Sequence, residues 1–292
     1  MPAIIELDLD LAEAPTIYPA RLHGAACALL EPSAVPHDSN HKPFSVWPLI
    51  GDGPMARWRL GWLSAVSPTV SFGPVTFGST SHRVVRHRTE QISFADLART
   101  PPRRRARVEA VSPLYFSRNG RDHPLPDPVL ITRSALDRWD RHAPPALVVP
   151  ESARRELLST IYLAEMEGCT VEGAVGARTS QSGFVGVVEL ALTRAANQNT
   201  ASLFAALLRF AGIAGIGAQT THGFGAVRVL PTDRDRPSAH RARSARSSRD
   251  HRRSSRPVTD ASVSSPAITG DRPEPCPRGD QSRSWSEPPS RG

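Results

Sequence analysis

The sequence predicts an α+β fold, in which two successive runs of strands and helices precede a tail without a core. Residues 4–11 alternate strictly between apolar and acidic side chains, which is typical of a half-buried strand. Residues 203–214 form an apolar run of helical period that enters a glycine-rich loop at 215–225. From Pro231 onward apolar residues almost vanish, so we expect 231–292 to be a disordered Arg/Ser/Pro-rich tail.

The predicted elements of the first half, residues 1–110, follow the βαββαβ order of a ferredoxin-like unit. Pro19 suits the first turn of the first helix, and Pro32 ends that helix. Strands are expected over 4–11, 57–64, 69–77 and 108–111, with an extended segment at 44–46 and a short helix over 94–99.

The second half, residues 111–230, repeats this order approximately. A helix is expected from Thr132, and another over 151–166. Strands are expected over 169–176, 183–193 and 226–230, and a helix capped by Asn199 precedes the glycine-rich loop.

The charge of the chain favours a polyanionic partner. The net charge is +8 with an isoelectric point near 10.5. The tail carries 13 Arg against 8 acidic residues, a net charge of +5, which leaves only +3 for residues 1–230. A nucleic-acid site there must be a local patch. The densest run before the tail is Arg103-Arg104-Arg105, for which a solvated loop and an RNA-backbone contact are the two interpretations.

Cysteine spacing and hydropathy exclude several classes of protein. The three cysteines lie far apart and form no C-x-x-C pair, so a zinc site is not expected. The N-terminus has no signal-peptide pattern, and no apolar run reaches the length of a membrane span. We therefore expect a cytoplasmic protein without a membrane partner.

Four glycines bracket the loop that follows the apolar helix. Glycine permits positive φ and close approach of another backbone. Exposed N–H groups and hydroxyls between the glycines suit a phosphate backbone, and the alternative is a helix-to-strand turn without a ligand. The loop follows a helix and no Lys-Ser/Thr ends it, which excludes dinucleotide and Walker A motifs. The candidate contacts are Gly215, Gly217, Gln219, Thr220, Thr221, His222, Gly223 and Gly225.

Three side chains suited to phosphodiester chemistry fall within six residues: His37, His41 and Lys42. Metal-free RNA cleavage needs a base for the 2′-hydroxyl proton, an acid for the 5′-leaving oxygen and a cation near the phosphate. Histidine suits either proton role and lysine suits the charge role. Lys42 is the only lysine in a chain with 36 Lys+Arg. The alternative for each histidine is an ordinary solvent-exposed loop side chain. No Asp, Glu, His or Cys set has metal-ligand spacing, so neither a metal nor a cofactor is expected.

Three motifs in order resemble the repeat-processing endoribonucleases of CRISPR systems, the Cas6 family of the RAMP superfamily. The loop has the form G-φ-G-x5-G-φ-G, where φ is apolar, which is the hallmark of that superfamily. Ser112-Pro113, followed by Phe116, Gly120 and then Pro126-Asp127-Pro128, is similar to the family's SPxxF…G…PxP stretch. His37, with Lys42-Pro43-Phe44 after it, is similar to the family's histidine context, although Pro36 stands where leucine is usual.

The resemblance covers about residues 1–230 and implies both a fold and an activity. The fold is two tandem ferredoxin-like (RRM-like) domains, with antiparallel sheets that carry helices on one face and form a basic cleft. The activity is metal-independent cleavage of CRISPR repeat precursor RNA within the repeat, which leaves a 2′,3′-cyclic phosphate and a 5′-hydroxyl.

The resemblance also implies roles for single residues. His37 acts as the general acid/base, Lys42 assists it, and His41 is an alternative candidate beside Lys42. Some members use a tyrosine on the first helix, and the matching position lies near Cys27, where a thiol does not replace a phenol. His23 on the same helix compensates if it faces the loop.

Two other hypotheses belong to different classes. The first is a non-catalytic RNA-binding RAMP subunit of a CRISPR effector complex, which shares the glycine loop but does not need His37. The second is a small-ligand-binding α+β protein whose glycine loop is only a turn. The expected partners are CRISPR repeat RNA and, under the first alternative, effector-complex subunits. Either a monomer or a homodimer is compatible with the sequence.

Overall fold

The protein is described by a computed structural model, which covers residues 1–11, 17–30, 42–51, 54–70, 72–118, 120–176 and 179–231. These residues form an α+β fold with two main antiparallel sheets, as predicted. Residues 1–230 belong to one compact unit. The predicted tail lies outside the described residues from 232 onward. Within the described ranges, no helix combines the length and hydropathy needed to cross a bilayer.

The first sheet is built around the alternating N-terminal strand. In chain order its elements are β1 (Ala3–Asp10), α1 (Pro19–Leu30), β2 (Phe44–Val46), β3 (Met55–Trp62), β4 (Val75–Phe77) and β5 (Thr80–Gln91). The strand order is β2-β3-β1-β5-β4, and every neighbouring pair is antiparallel. The apolar side chains of β1 are buried, whereas its carboxylates are only partly covered, because successive strand residues face opposite sides of the sheet.

Strand β5 was not predicted. Its sequence, TSHRVVRHRTEQ, is charged, and most of its side chains are exposed, so it shows no hydrophobic alternation. It is held by backbone pairing with β1 from Ala3↔Gln91 to Asp10↔Arg83. The predicted strand over 69–77 is correct only from Val75 onward. Strand β5 therefore forms because its backbone pairs with the buried strand β1, and its own sequence has no apolar periodicity that would indicate a strand.

Helix α2 (Phe94–Ala98) confirms the short helix predicted over 94–99 and links the two sheets. Ser93 caps it by accepting a hydrogen bond from the Asp96 N–H. Phe94 packs edge-on against Trp139, with ring centroids 5.0 Å apart, and contacts Phe210 at 5.5 Å. The end of the first half is therefore anchored in the core of the second.

The second sheet contains the complete βαββαβ order. Its elements are β6 (Arg105–Leu114), the hairpin β7 (Phe116–Arg118) and β8 (Arg121–His123), α3 (Pro128–His142), α4 (Glu151–Thr160), β9 (Ile161–Gly176), β10 (Thr179–Leu192), α5 (Gln198–Ala214) and β11 (Val227–Leu230). The order is β11-β6-β10-β9, so the first strand of this half lies between its third and its last. The second half is therefore a complete ferredoxin-like unit, and the strands of the first sheet have the same spatial arrangement.

The assignment of 108–111 as the closing strand of the first half is wrong. These residues belong to β6, which pairs with β10 and β11 in the second sheet. The boundary expected between 110 and 111 falls inside this strand. The strand that closes the first sheet on the other side of β1 is β5.

Three element ends differ from the sequence prediction. The helix over 151–166 ends at Thr160, because the chain from Ile161 pairs with β10. Helix α3 begins at Pro128 rather than near Thr132, with the Asp127 carboxylate accepting the Leu130 N–H at 2.8 Å. The cap of α5 is Asn197 rather than Asn199, since its side chain accepts the Thr200 N–H at 2.9 Å.

Helix α5 contacts both halves and so positions the loop that follows it. It packs against α3 and β11 on one side and against β2 and β3 on the other. The buried Ser45 hydroxyl donates a hydrogen bond to the Ile213 carbonyl near the end of α5. A Cβ at Gly61 would clash with the same carbonyl, so glycine is required at this contact. The last turn of α5 is thereby fixed against the first half.

Candidate functional site

The glycine loop begins where α5 ends. All four predicted glycines have positive φ: 71° at Gly215, 84° at Gly217, 91° at Gly223 and 60° at Gly225. A side chain is strained in this region of backbone space, which explains the four glycines. The loop places a short 3₁₀ turn, Thr220–His222, between its two glycine pairs.

The close approach that the glycines allow is to the protein's own backbone. A Cβ at Gly225 would lie well inside 3.0 Å of the Ile216 carbonyl oxygen, and one at Gly217 would clash with the Tyr115 carbonyl oxygen. The Ile216 N–H donates to the Gly225 carbonyl at 2.8 Å, which closes the base of the loop. The two glycine pairs therefore pack directly on each other and on the segment after β6.

The segment with the Ser-Pro motif holds the loop by three hydrogen bonds. The Gly225 N–H donates to the Pro113 carbonyl at 3.0 Å, the Ala226 N–H to the Ser112 hydroxyl at 2.9 Å, and the Ala218 N–H to the Tyr115 carbonyl at 2.9 Å. These N–H groups are already satisfied inside the protein. At Ala218, Gly225 and Ala226 the backbone N–H groups are therefore not exposed to a phosphate, contrary to expectation. The glycine loop and the Ser-Pro motif form one structural unit.

Helix α3 supplies two further contacts that sequence analysis missed. The Gly217 N–H donates to the Ser134 hydroxyl at 2.9 Å, and the Arg138 guanidinium donates to the Gly217 carbonyl at 3.0 Å. Burial, followed by the charge of Arg141, lowers the pKa of Arg138 to about 10. The only available sequence signal was the helical spacing of Ser134 and Arg138, which places them on one face.

Exposure separates the predicted loop contacts into two groups. Gly215, Thr220, Gly223 and Gly225 are buried. The accessible positions are Gln219, which is exposed, and Gly217, Thr221 and His222, which are partly exposed. Gln219 adopts a left-handed conformation with φ of 50°, which presents this part of the loop. The side chains of Gln219, Thr221 and His222 are thus the part of the loop that a ligand can reach.

Two histidines stack at the accessible end of the loop. The rings of His23, on α1, and His222 are 4.0 Å apart and within 7° of parallel. The Nδ1 atom of His23 lies 3.0 Å from the Thr221 carbonyl oxygen, which can only accept, so His23 carries its proton on Nδ1. Its Nε2 atom lies 3.5 Å from the Sγ atom of the buried Cys27. His23 therefore faces the loop, which was the condition for it to compensate for the tyrosine that this chain lacks on its first helix.

Burial, and secondarily the charge of His23, lowers the pKa of His222 to about 4. His222 is therefore neutral near pH 7. It provides hydrogen-bonding atoms and a ring face there, and it does not supply a positive charge to a phosphate.

Helix α1 and strand β2 form the wall opposite the loop. Both elements contact the turn at 220–222, and the Phe44 ring at the start of β2 lies 6.0 Å from the His23 ring. Lys42 is only 7% exposed, so it belongs to the packed wall rather than to a solvated loop. His37 and His41 lie in the segment 31–41 between α1 and Lys42, outside the described residues.

The arginine run does not join this site. Arg103, Arg104 and Arg105 lie at the start of β6, and the loop contacts its other end, about 30 Å away for a strand of this length. The Arg104 guanidinium donates to the carbonyls of Thr193, Arg194 and Ala196, at 2.8 to 3.3 Å. Arg105 forms an ion pair with Glu189. These contacts give both side chains structural roles.

No group of three or more His, Cys, Asp and Glu side chains lies together as a metal site within the parts of the chain that the structure describes.

Comparison with known proteins relates this architecture to one family. The model for CRISPR-associated endoribonuclease Cas6 matches residues 108–227, which span β6 to the start of β11. A Cas6 endoribonuclease of Mycobacterium tuberculosis is 26% identical over 247 residues, covering 78% of this chain and 76% of that protein.

Solved structures agree with these sequence matches. A Cas6 product complex has a TM-score of 0.67 at 27% identity, covering 79% of this chain and 99% of its own. Thermus thermophilus Cas6 has a TM-score of 0.62 at 27% identity, covering 79% of this chain and 98% of its own. The resemblance drawn from the motifs is confirmed: the chain is similar to CRISPR-associated endoribonuclease Cas6 both in sequence and in fold.

Proposed function

We propose that this protein cleaves CRISPR repeat precursor RNA within the repeat, without a metal ion, and so releases guide RNAs. The observation that carries the proposal is the junction of the two halves. The glycine loop holds the His23–His222 stack against α1 and β2, which are the two elements joined by the segment that contains His37 and His41. RNA cleavage by Cas6 relatives supports the reaction class.

In the proposed reaction the ribose 2′-hydroxyl attacks the adjacent phosphorus in line. A general base takes the 2′ proton as the new P–O2′ bond forms, and the P–O5′ bond breaks. A general acid gives a proton to the departing 5′ oxygen, so the products are a 2′,3′-cyclic phosphate and a 5′-hydroxyl. A nearby cation stabilises the charge that develops on the phosphate oxygens.

We assign the proton transfers to His37, with His41 as the alternative, and the charge role to Lys42. The two histidines of the site that the structure describes, His23 and His222, already contact other protein groups, which favours His37 for the proton transfers. Both ring nitrogens of His23 face protein groups, and His222 is neutral with its Nδ1 atom 3.1 Å from the Thr221 hydroxyl. We therefore assign the stacked rings of His23 and His222 a positioning role: they orient the scissile nucleotide. Gln219 and Thr221 are the proposed RNA contacts of the loop.

The test is incubation of the full chain with the repeat RNA of its own CRISPR locus, in EDTA, with the product ends mapped. A single cut that leaves a cyclic phosphate is the expected result. Tight binding without a cut would instead make the chain a non-catalytic RNA-binding subunit. Absence of salt-sensitive RNA binding would leave the glycine loop as a structural turn.

A further inference from the structure

The short hairpin β7–β8 projects from the protein directly beside the glycine loop. It follows Tyr115, whose carbonyl accepts the Ala218 N–H at 2.9 Å. Phe116 anchors its base, since this side chain is buried in the core of the second half. From Ser117 to Arg118 and from Arg121 to His123 the side chains are exposed. The hairpin is thus an arm with a fixed base and a solvated end.

Two arginines oppose each other at the end of this arm. Arg118 and Arg121 are cross-strand partners, joined by a turn that includes Gly120 with φ of 70°. Like charges directly opposite in a sheet destabilise it, because cross-strand Cα atoms lie only about 5 Å apart. Within the described residues, no carboxylate lies in ion-pair range of either guanidinium. Among the residues that the structure describes, neither arginine therefore has an ion-pair partner.

The hairpin strands contain one carboxylate, that of Asp122. Asp122 lies near Tyr115, where burial first and this carboxylate second raise the pKa of the phenol to about 12. Asp122 is itself exposed, and with Arg118 and Arg121 beside this single carboxylate the arm keeps a net positive charge.

The arm is close to the candidate cleavage site. Its base contacts Ala218, and the His23 ring contacts the Thr221 carbonyl three residues further along the loop. Three residues span at most about 11 Å. Arg118 lies three residues beyond Tyr115, a further span of at most about 11 Å, so the arginine end lies within about 25 Å of the Thr221 carbonyl oxygen. This corresponds to at most about seven nucleotide steps at about 3.4 Å each along a helical strand.

We propose that Arg118 and Arg121 form a two-cation clamp that binds neighbouring phosphates of the RNA strand, within about seven nucleotides of the cleaved bond. Two guanidiniums on opposed strand positions can each engage one phosphate, and their mutual repulsion is relieved when the RNA is bound. The clamp contributes to binding and register, while the bond-breaking groups remain elsewhere. This inference rests on the proposed function.

The test compares two full-length variants that each lose two positive charges. In Arg118→Gln/Arg121→Gln the clamp is neutralised. The control, Arg86→Gln/Arg194→Gln, removes two exposed arginines, on β5 and after β10, that form no ion pair within the described residues. Repeat-RNA affinity is measured from about 50 to 200 mM salt, together with the single-turnover cleavage rate at saturating RNA.

The clamp predicts about a tenfold loss of affinity in the first variant. The slope of log K against log salt should fall by about 1.4 to 1.8, as expected for two lost phosphate contacts, with the saturated cleavage rate retained. Arg118→Lys/Arg121→Lys should restore most of the slope. If the clamp and control variants weaken binding equally while the wild type binds and cleaves, the clamp is overturned and the proposed function stands. If the wild type shows no salt-dependent binding, both are overturned.

Discussion

The two halves of the chain share a strand order but differ in how the last strand is reached. The sheets run β2-β3-β1-β5 and β9-β10-β6-β11, so each half places its first strand between its third and its last. In the second half the 17-residue helix α5 joins the third strand to the last. In the first half β3 leads to β5 through β4, with no helix among the residues described there.

This difference explains why the halves depend on each other. Helix α5 packs on β11 of its own sheet and also on β2 and β3 of the first. The glycine loop at its end is thereby carried to α1 and β2. The second half supplies the loop, whereas the first half supplies His23, Lys42 and the segment that contains His37. The proposed site therefore draws on both halves.

The largest expected effect tests the chemical contribution of the first half. His37→Ala should lower the single-turnover cleavage rate in EDTA by about 10²- to 10⁴-fold, the range for loss of a general acid or base. RNA affinity should be retained, because the RNA contacts are proposed on other residues. His41→Ala is the matched control and should lose much less. Equal rates for His37→Ala and the wild type would remove His37 from the mechanism.

The next effect tests the structural contribution of the second half. Gly225→Ala should destabilise the protein by at least about 3 kcal/mol, because it combines a φ of 60° with a clash against the Ile216 carbonyl. Gly212→Ala is its control. A Cβ there meets nothing closer than the Val227 carbonyl oxygen at 4.0 Å, and alanine favours a helix interior by about 1 kcal/mol. Thermal melts that shift alike for the two variants would contradict this account of the loop.

A smaller effect tests the contact between the halves. Ser45→Ala removes the buried hydroxyl that donates to the Ile213 carbonyl, at an expected cost of about 1–2 kcal/mol in the free energy of unfolding. Ser202→Ala removes a hydroxyl that bonds within α5 itself, to the Gln198 carbonyl, and should cost less than about 0.5 kcal/mol. Denaturant titration compares the two. A Ser45→Ala variant as stable as Ser202→Ala would show that this contact adds little to the docking of α5.

The smallest effect concerns pH. The folded protein holds the pKa of His222 near 4, below the ordinary value of about 6.5. The unfolded chain therefore binds more protons between these values, and stability falls as the pH is lowered through this window. His222→Phe keeps a ring against His23 but does not titrate. Its Tm should fall less than that of the wild type between pH 7 and 5, by about 2 °C.

The control for this pH effect is His123→Phe, which changes an exposed histidine and should follow the wild type. Parallel Tm curves for the wild type and His222→Phe would show that protonation of His222 does not contribute to acid instability.

Sequence reasoning succeeded where a local rule had no competitor. The alternation of 4–11 gave a strand that the structure confirms as β1, and Pro19 marks the start of α1. The four glycines occupy positive-φ positions, as their spacing indicated. Sequence predictions were wrong where backbone pairing between strands overrides the local pattern of apolar residues. Strand β5 is charged yet pairs with β1, and the chain expected to stay helical past Thr160 pairs with β10 as β9.

The sequence by itself determined the resemblance to Cas6 proteins, through three short motifs in order, and the α+β class, through the periods of its apolar residues. Tertiary structure decided which sheet receives β6, since this strand lies between β10 and β11, which follow it by 65 residues or more in the chain. It also decided that N–H groups of the glycine loop bind the Ser112–Tyr115 segment. His23 stacks on His222 and contacts the Thr221 carbonyl, 198 residues further along the chain. Such contacts depend on how helices and strands pack, which local propensity does not encode.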